Sequence, residues 1–385
     1  TGILQSFNLF FVPAVAPVLY NFGIIIGIFF LSSSLGLFAP VVGVGIGAVL
    51  FLLIHIPFLS QVGFRYQPVI DVNHKGGRDG GKLMGPRTLG LAVSQIDTTI
   101  DLMLASLLGA RMVTIFNFAQ HLQQLPVGVF GATIAQAALP TLSVSSARED
   151  IVHFKQTIIR SIHQILFFVL PVSVLFVVLR IPMVRLVFGA SRFDWQATVL
   201  TGLTLSAFAV SLFAQSGVHV LARAFYALYD SKTPVAVGIV AILTNTLLSI
   251  LLIQVVGLPV WALGISTSVS SILNAVVLLY FLDRKVNGFS RRDLFWPLGK
   301  MMVAAAITGV ALYIPLKLLD QLVFDTTRTF GLLLLTGVSG SIGLATYLFL
   351  SWVFGVGEVR SLFHLLSRVR RRMIFEPATE VVNGH

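Results

Sequence analysis

Apolar runs of spanning length dominate the chain, broken by short polar stretches. Ten such runs are predicted as helices crossing a bilayer: 5–31, 40–59, 86–108, 112–141, 156–180, 196–228, 233–255, 259–282, 295–317 and 329–355. Each is near or above the roughly 20 residues that a hydrocarbon core requires. Several are longer, which predicts tilt, kinks or extensions past the bilayer. Pro126 and Pro171 fall inside runs and are expected to bend them.

Polar positions inside the runs carry the next layer of information. Asp97 and Asp101 are four apart and share one helical face, with Gln95 nearby. In the fourth run Asn117, Gln120, His121 and Gln124 form a polar stripe, which Gly128, Gly131 and Ala135 continue with small residues. Those glycines are expected to serve close helix packing, and the Gln124 side of the face interhelical hydrogen bonding. The sixth run holds Gln215, Ser216, His219 and Arg223. A charged side chain at mid-bilayer costs roughly 2.5–3.5 kcal/mol on insertion scales. Asp97, Asp101 and Arg223 are therefore expected to face protein or a wet cavity rather than lipid. Two readings follow for the carboxylates: ion pairs with Arg223 or Arg111 that lock helices, or a cavity that meets a polar substrate or coupling ion. For His121 alone, a hydrogen-bonded core histidine is the competing reading.

Composition agrees with this class. The chain has 385 residues, 56% hydrophobic and only 11% charged, with mean hydropathy +0.93, whereas soluble domains are about 25% charged. The fold class is an all-α polytopic membrane protein. Cysteine is absent, which excludes disulfides and thiolate metal sites. The net charge of +11 is that of basic cytoplasmic loops rather than of a nucleic-acid binder. With the 61–87 loop placed inside, 18 of the 26 Lys and Arg fall in cytoplasmic segments and 6 outside. That asymmetry puts the C-terminus in the cytoplasm, and ten spans put Thr1 there too. Thr1 is preceded by no Met or signal sequence, so the start reads as truncated.

Three further features change little. The loop GGRDGGKL at 76–83 has phosphate-loop spacing, but Leu83 stands where Ser or Thr is needed and no strand precedes it, so a basic linker is the reading. Pro13, Pro17, Asn21 and Gly45 are loosely repeated by Pro234, Asn245 and Gly264, as in transporters built from repeats. At 357–375, Val359, Leu362, Phe363, Leu366, Val369 and Met373 make an apolar face beside five arginines. This predicts a helix lying on anionic inner-leaflet lipid, followed by disorder. No metal-ligand spacing and no nucleophile–base set is found, so neither a cofactor nor an enzyme activity is expected.

Four stretches carry a family resemblance: APVLYNFGIIIG (16–27), SQIDTTIDLMLAS (94–106), FAQHLQQLPVGVFGATIAQAALPTLS (118–143) and LARAFYALYDSKTP (221–234), with weaker support from LRIPMVRLVFG (179–189). They resemble the MurJ (MviN) lipid II flippases of the multidrug/oligosaccharidyl-lipid/polysaccharide exporter superfamily. The resemblance implies fourteen helices in two six-helix lobes plus a final pair that makes a groove for a lipid tail. The ten runs would be the last ten. Residues 1–60 would end the N-terminal lobe, 61–87 would be a cytoplasmic linker and 88–286 the C-terminal lobe. Residues 287–355 would be the extra pair and 356–385 the basic amphipathic helix and tail.

The implied function is translocation of lipid II, the undecaprenyl-pyrophosphate-linked disaccharide-pentapeptide, across the bacterial cytoplasmic membrane by alternating access, for cell-wall synthesis. His121, Arg223, Gln120, Gln124 and His219 would then contact the head group. Asp97 and Asp101 would be counter-charges or an ion-coupling site, and all would line one hydrated hollow. The chain departs from the family at Gln120 and His121, where an acidic residue and an arginine are common. A neutral histidine is no permanent cation, although a protonated one can serve. The alternatives are a drug or cation antiporter of the same superfamily and a non-transporting membrane scaffold.

Overall fold

The computed structural model describes residues 2–7, 9, 11–63, 88, 95–189, 194–322 and 329–359. These form two compact units, Thr1–Gly81 and Lys82–His385. All regular structure among the described residues is helical. This follows from the solvent: in hydrocarbon every backbone N–H must find its partner within the segment.

The first unit holds a short helix, α1 (Gly2–Ser6), and a hairpin of α2 (Phe11–Leu35) and α3 (Ala39–Gln61). A 3-10 turn, Gly36–Phe38, joins the two long helices, and Gly36 has φ +52, which a residue without Cβ adopts freely. The helices cross backbone against backbone. A Cβ on Gly23 would lie 2.3 Å from Gly47 Cα, and one on Gly27 2.4 Å from Gly43 Cα. Apolar burial drives no association in lipid, so such close approach of small residues supplies it through dispersion.

The second unit begins with helical residues 95–107, α4. It continues with α5 (Ala110–Pro126), a π-helical stretch Val127–Ala132, and α6 (Thr133–Ala147). Then come α7 (Ile151–Val178), α8 (Arg180–Phe188), α9 (Trp195–Ala209), α10 (Leu212–Ala227), and α11 (Lys232–Ile250) with a π turn Leu251–Val255. The set closes with α12 (Trp261–Lys285), α13 (Arg291–Leu322) and α14 (Thr329–Val353). Asp150 and Asp194 cap α7 and α9, accepting from His153 N at 3.0 Å and Ala197 N at 2.8 Å. The core joins Ile115, Phe116, Phe154, Phe208, Phe225 and Leu263. α13 packs along α7 and α14, outside that core.

Large apolar side chains face outward all over the molecule, Phe30, Val310 and Phe330 among them, while Ser216, Thr204 and Ser266 are buried. That inversion is a lipid-facing surface. Among the described residues seven helices are long and apolar enough to span, or eight if one bent pair counts as a single span. One of the seven, Phe11–Gln61, is the α2–α3 hairpin. The run expected at 86–108 lies partly outside the described residues.

Three expectations need correcting. The run 196–228 is no single helix: α9 and α10 meet at 44° at Val210–Ser211. Ser211 supports the break with its side chain, which donates to Phe208 O (3.1 Å) and accepts from Gln215 (2.9 Å) and Ser268 (2.9 Å). Gly128 has open space where a Cβ would be, so only Gly131 serves close packing, against Ser216 of α10 at 2.9 Å. The loose repeat does not extend to the surroundings of its two asparagines. Asn21 is exposed and bonds Pro17 O of its own helix at 3.0 Å, whereas Asn245 is buried among carboxylates. The loop 76–83 and the basic tail from 360 onward lie outside the described residues.

Candidate functional site

The polar residues singled out in the sequence fall into two centres rather than one hollow. The first joins α4 to α11. Asp97 and Asp101 stack on one face of α4, and Asn245 of α11 donates to Asp97 Oδ1 at 2.9 Å and to Asp101 at 3.3 and 3.2 Å. One turn on, Ser249 reaches Asp101 at 3.5 Å and pairs with Ser266 of α12 at 2.6 Å. Asp101 is 3% exposed and Asn245 1%. The Asn245 carbonyl oxygen has no hydrogen-bond partner.

No Lys or Arg among the described residues pairs with either carboxylate. The pairing weighed for Arg111 is not made with them. Arg111 bonds Asp194 instead, at the mouth between α5 and α9. Asp194 sits below the usual carboxylate range, chiefly because the Ala197 N–H bonds it; Arg111 adds to this. Arg223 donates to His219 O of its own helix at 3.2 Å.

The second centre joins α5 to α10. Gln215 donates to Gln123 at 3.2 Å and to Ser211 at 2.9 Å. Gln123 was missed by the stripe drawn through Asn117, Gln120, His121 and Gln124. It is 5% exposed, while His121 and Gln124 are exposed and Gln120 is half-buried. A continuous polar run, QHLQQ, carried the signal; which member faces protein depends on where α10 lies. His121 bonds Asn117 O at 2.8 Å within its helix. His219 and Arg223 are half-buried, one and two turns past Gln215. No hydrogen bond joins His121 to Arg223 among the described residues.

One side-chain bond, Gln215 to Gln123, thus links the helix carrying Arg223 to the helix carrying His121, and a separate acidic centre binds α4 to α11 and, through Ser249, to α12. The family model described as lipid II flippase MurJ matches residues 1–330. The chain belongs to this family.

Relatives in the family are distant in sequence. A probable lipid II flippase MurJ from Haemophilus influenzae is 29% identical over 82% of this chain and 63% of its own length. One from Vibrio cholerae is 29% identical over 92% of this chain and 67% of its own. A solved lipid II flippase MurJ in an inward closed conformation matches with TM-score 0.71 at 25% identity, covering 94% of this chain and 70% of that one. The chain thus spans about two thirds of the length of the family members it matches.

Proposed function

We propose that this chain is part of a flippase that carries lipid II from the inner to the outer leaflet of the bacterial cytoplasmic membrane by alternating access. The observation that carries the reading is the polar joint where Gln123 of α5 meets Gln215 of α10. Near that joint α5 carries the half-buried Gln120 and the exposed His121 and Gln124, and α10 carries the half-buried His219 and Arg223, within an otherwise apolar bundle. A pyrophosphate head group needs such a wet, cationic path while its prenyl tail stays in lipid. Arg223 supplies a permanent guanidinium that donates to the backbone carbonyl of His219, leaving further donors for an anion.

Residues 88–286 act as one lobe, 1–60 as the end of the other, 61–87 as their linker and 287–355 as the groove-forming pair. The two compact units, which part at Gly81, support that division. Asp97 and Asp101 with Asn245 form the coupling centre. Five side-chain oxygens gather there without a basic partner, the arrangement a proton or a sodium ion neutralises. The C-terminus faces the cytoplasm, with the 356–385 tail on anionic lipid, and no nucleic acid or cofactor takes part.

Restoring the family's arginine tests the head-group role. In the full-length protein His121→Arg is expected to raise lipid II retention in native mass spectrometry, because a guanidinium is a permanent cation that can pair with a pyrophosphate. Unchanged or weaker retention removes His121 from the head-group path. Complementation of a flippase-depleted bacterium by the full-length protein tests the transport itself; failure there with intact ion binding favours an antiporter.

A further inference from the structure

Along α13 an apolar groove ends in a cationic rim that an uncharged prenyl tail does not need. Between α7, α10 and α13 runs an apolar groove of about 640 Å³, walled by Val174, Val178, Phe213, Ala305, Gly309 and Tyr313. At Val177, Val178 and Tyr313 it is continuous with a second cavity of about 560 Å³ at the α7–α8 junction. That cavity is rimmed by Arg180 and Arg185 of α8, Trp195 at the start of α9, Lys317 of α13 and Leu332 of α14. Both volumes are in the range of sites that bind small organic ligands.

The rim is built rather than incidental. Gly202 of α9 lies under Arg180, and a Cβ there would come within 3.4 Å of the Arg180 Cγ. The missing side chain leaves room for the Arg180 stem against α9, and Arg180 lines the cavity. Lys317 Nζ sits 6.0 Å from the Tyr313 ring centroid. No acidic residue among the described ones pairs with Arg180, Arg185 or Lys317. Trp195 and Tyr313 are both more than half exposed, as amphipathic aromatics are at head-group depth.

We propose that these two cavities form a binding site for an anionic glycerophospholipid. Its phosphate sits among Arg180, Arg185 and Lys317, and one acyl chain enters the groove past Tyr313. With the C-terminus cytoplasmic, as proposed above, this end of α7 and α13 is the outer one, and the lipid belongs to the outer leaflet. The rim selects by charge: its polar side chains are three cations and two aromatics, with no amide or carboxylate to hold a sugar or a peptide. A small phosphodiester head suits it, and the disaccharide-pentapeptide does not. The site leaves the α5–α10 faces free, so it stands whether or not those faces carry lipid II.

The test uses the full-length protein in nanodiscs of equimolar phosphatidylglycerol and phosphatidylcholine, ejected for native mass spectrometry. The wild type is expected to retain phosphatidylglycerol preferentially. The variant R180Q/R185Q/K317Q is expected to retain it about a hundredfold less, three basic contacts being lost. R180K/R185K keeps the charge and the preference. Gly309→Leu leaves the rim intact and blocks the groove, and is expected to lose the same adduct. A melting transition in detergent equal to wild type qualifies each variant, and Gly309→Leu alone decides if the triple variant does not fold. Equal retention of the two phospholipids, wild-type retention by qualified variants, or displacement of phosphatidylglycerol by equimolar undecaprenyl phosphate overturns the proposal.

Discussion

The carboxamide nitrogen of Asn245 lies 2.9 Å from an Asp97 oxygen and 3.2 Å from an Asp101 oxygen, so one neutral side chain bridges two carboxylates across α4 and α11. Two acids brought this close inside a membrane bundle repel unless something positive is shared between them. Asn245 supplies partial positive charge only, and its own carbonyl oxygen stays unsatisfied. A rotated amide with a cation or proton at the centre would satisfy every group at once. The joint between α4 and α11 is thus where an ion could change helix packing, which is the coupling a transporter needs.

Ion dependence follows directly. In the full-length protein, sodium in place of choline is expected to raise the melting temperature, as any ligand that binds only the folded state does. Asp101→Asn keeps the shape and the Ser249 contact but removes a charge, and should abolish the increment. Acidification should do the same work as sodium if a proton is the coupling species. Equal melting in sodium, choline and acid would leave the acidic centre a static joint.

The α2–α3 hairpin makes a steric prediction with an internal control. A side chain on Gly47 would begin 2.3 Å from the Tyr20 carbonyl oxygen, whereas Gly45, two residues away, has open space. Gly47→Leu must push the helices apart, which forfeits their dispersion contacts. Gly45→Leu only adds apolar surface toward lipid. Loss of monodisperse protein on gel filtration is expected for the first variant and not the second.

The Gln123–Gln215 bond should be weak despite its burial. Interhelical hydrogen bonds in membranes average about 0.6 kcal/mol in double-mutant cycles, because the separated helices find other partners. A cycle through Gln123→Leu and Gln215→Leu is expected to give a coupling of roughly that size. A coupling above about 2 kcal/mol would mean that the pair, with Ser211, holds the α9–α10 break in place rather than merely lining it.

Much of this fold is legible in the sequence because bilayer thickness and backbone satisfaction leave few options. Long apolar runs at 156–180, 233–255 and 259–282 became α7, α11 and α12 with boundaries shifted by a few residues. The α9–α10 break was not legible. It has neither Pro nor Gly, and what marks it is a tertiary bond from Ser268 to Ser211 that the sequence does not announce. The site was half legible. Asp97 and Asp101 announce themselves by cost, since a carboxylate in hydrocarbon demands a partner. Asn245 and Ser249 do not, because neutral polar residues are common in spanning helices and only packing tells which of them faces an acid. Gln123 was lost for the same reason among neighbouring glutamines.

Outside the membrane, Asp230 in the α10–α11 loop accepts from Lys285 Nζ at 2.6 Å and from Thr233 Oγ1 at 2.8 Å and its N–H at 3.1 Å. Burial alone would raise its pKa, but the Lys285 and Thr233 bonds outweigh that and hold the carboxyl down at about 2. An unfolded aspartate titrates near about 4. A depressed folded value means that the contribution is complete above the unfolded value and is lost as pH falls from about 4 toward about 2. Asp230→Asn removes the charge that pins the end of α12 to the α10–α11 loop. Its cost should be roughly 1–2 kcal/mol near neutral pH, as for hydrogen bonds to charged groups, discounted for the partial exposure of Lys285. The gap in melting temperature between wild type and Asp230→Asn should be widest above about pH 5 and shrink below about pH 4. A gap that stays constant through that range would place the stabilising role of Asp230 in its shape, not its charge.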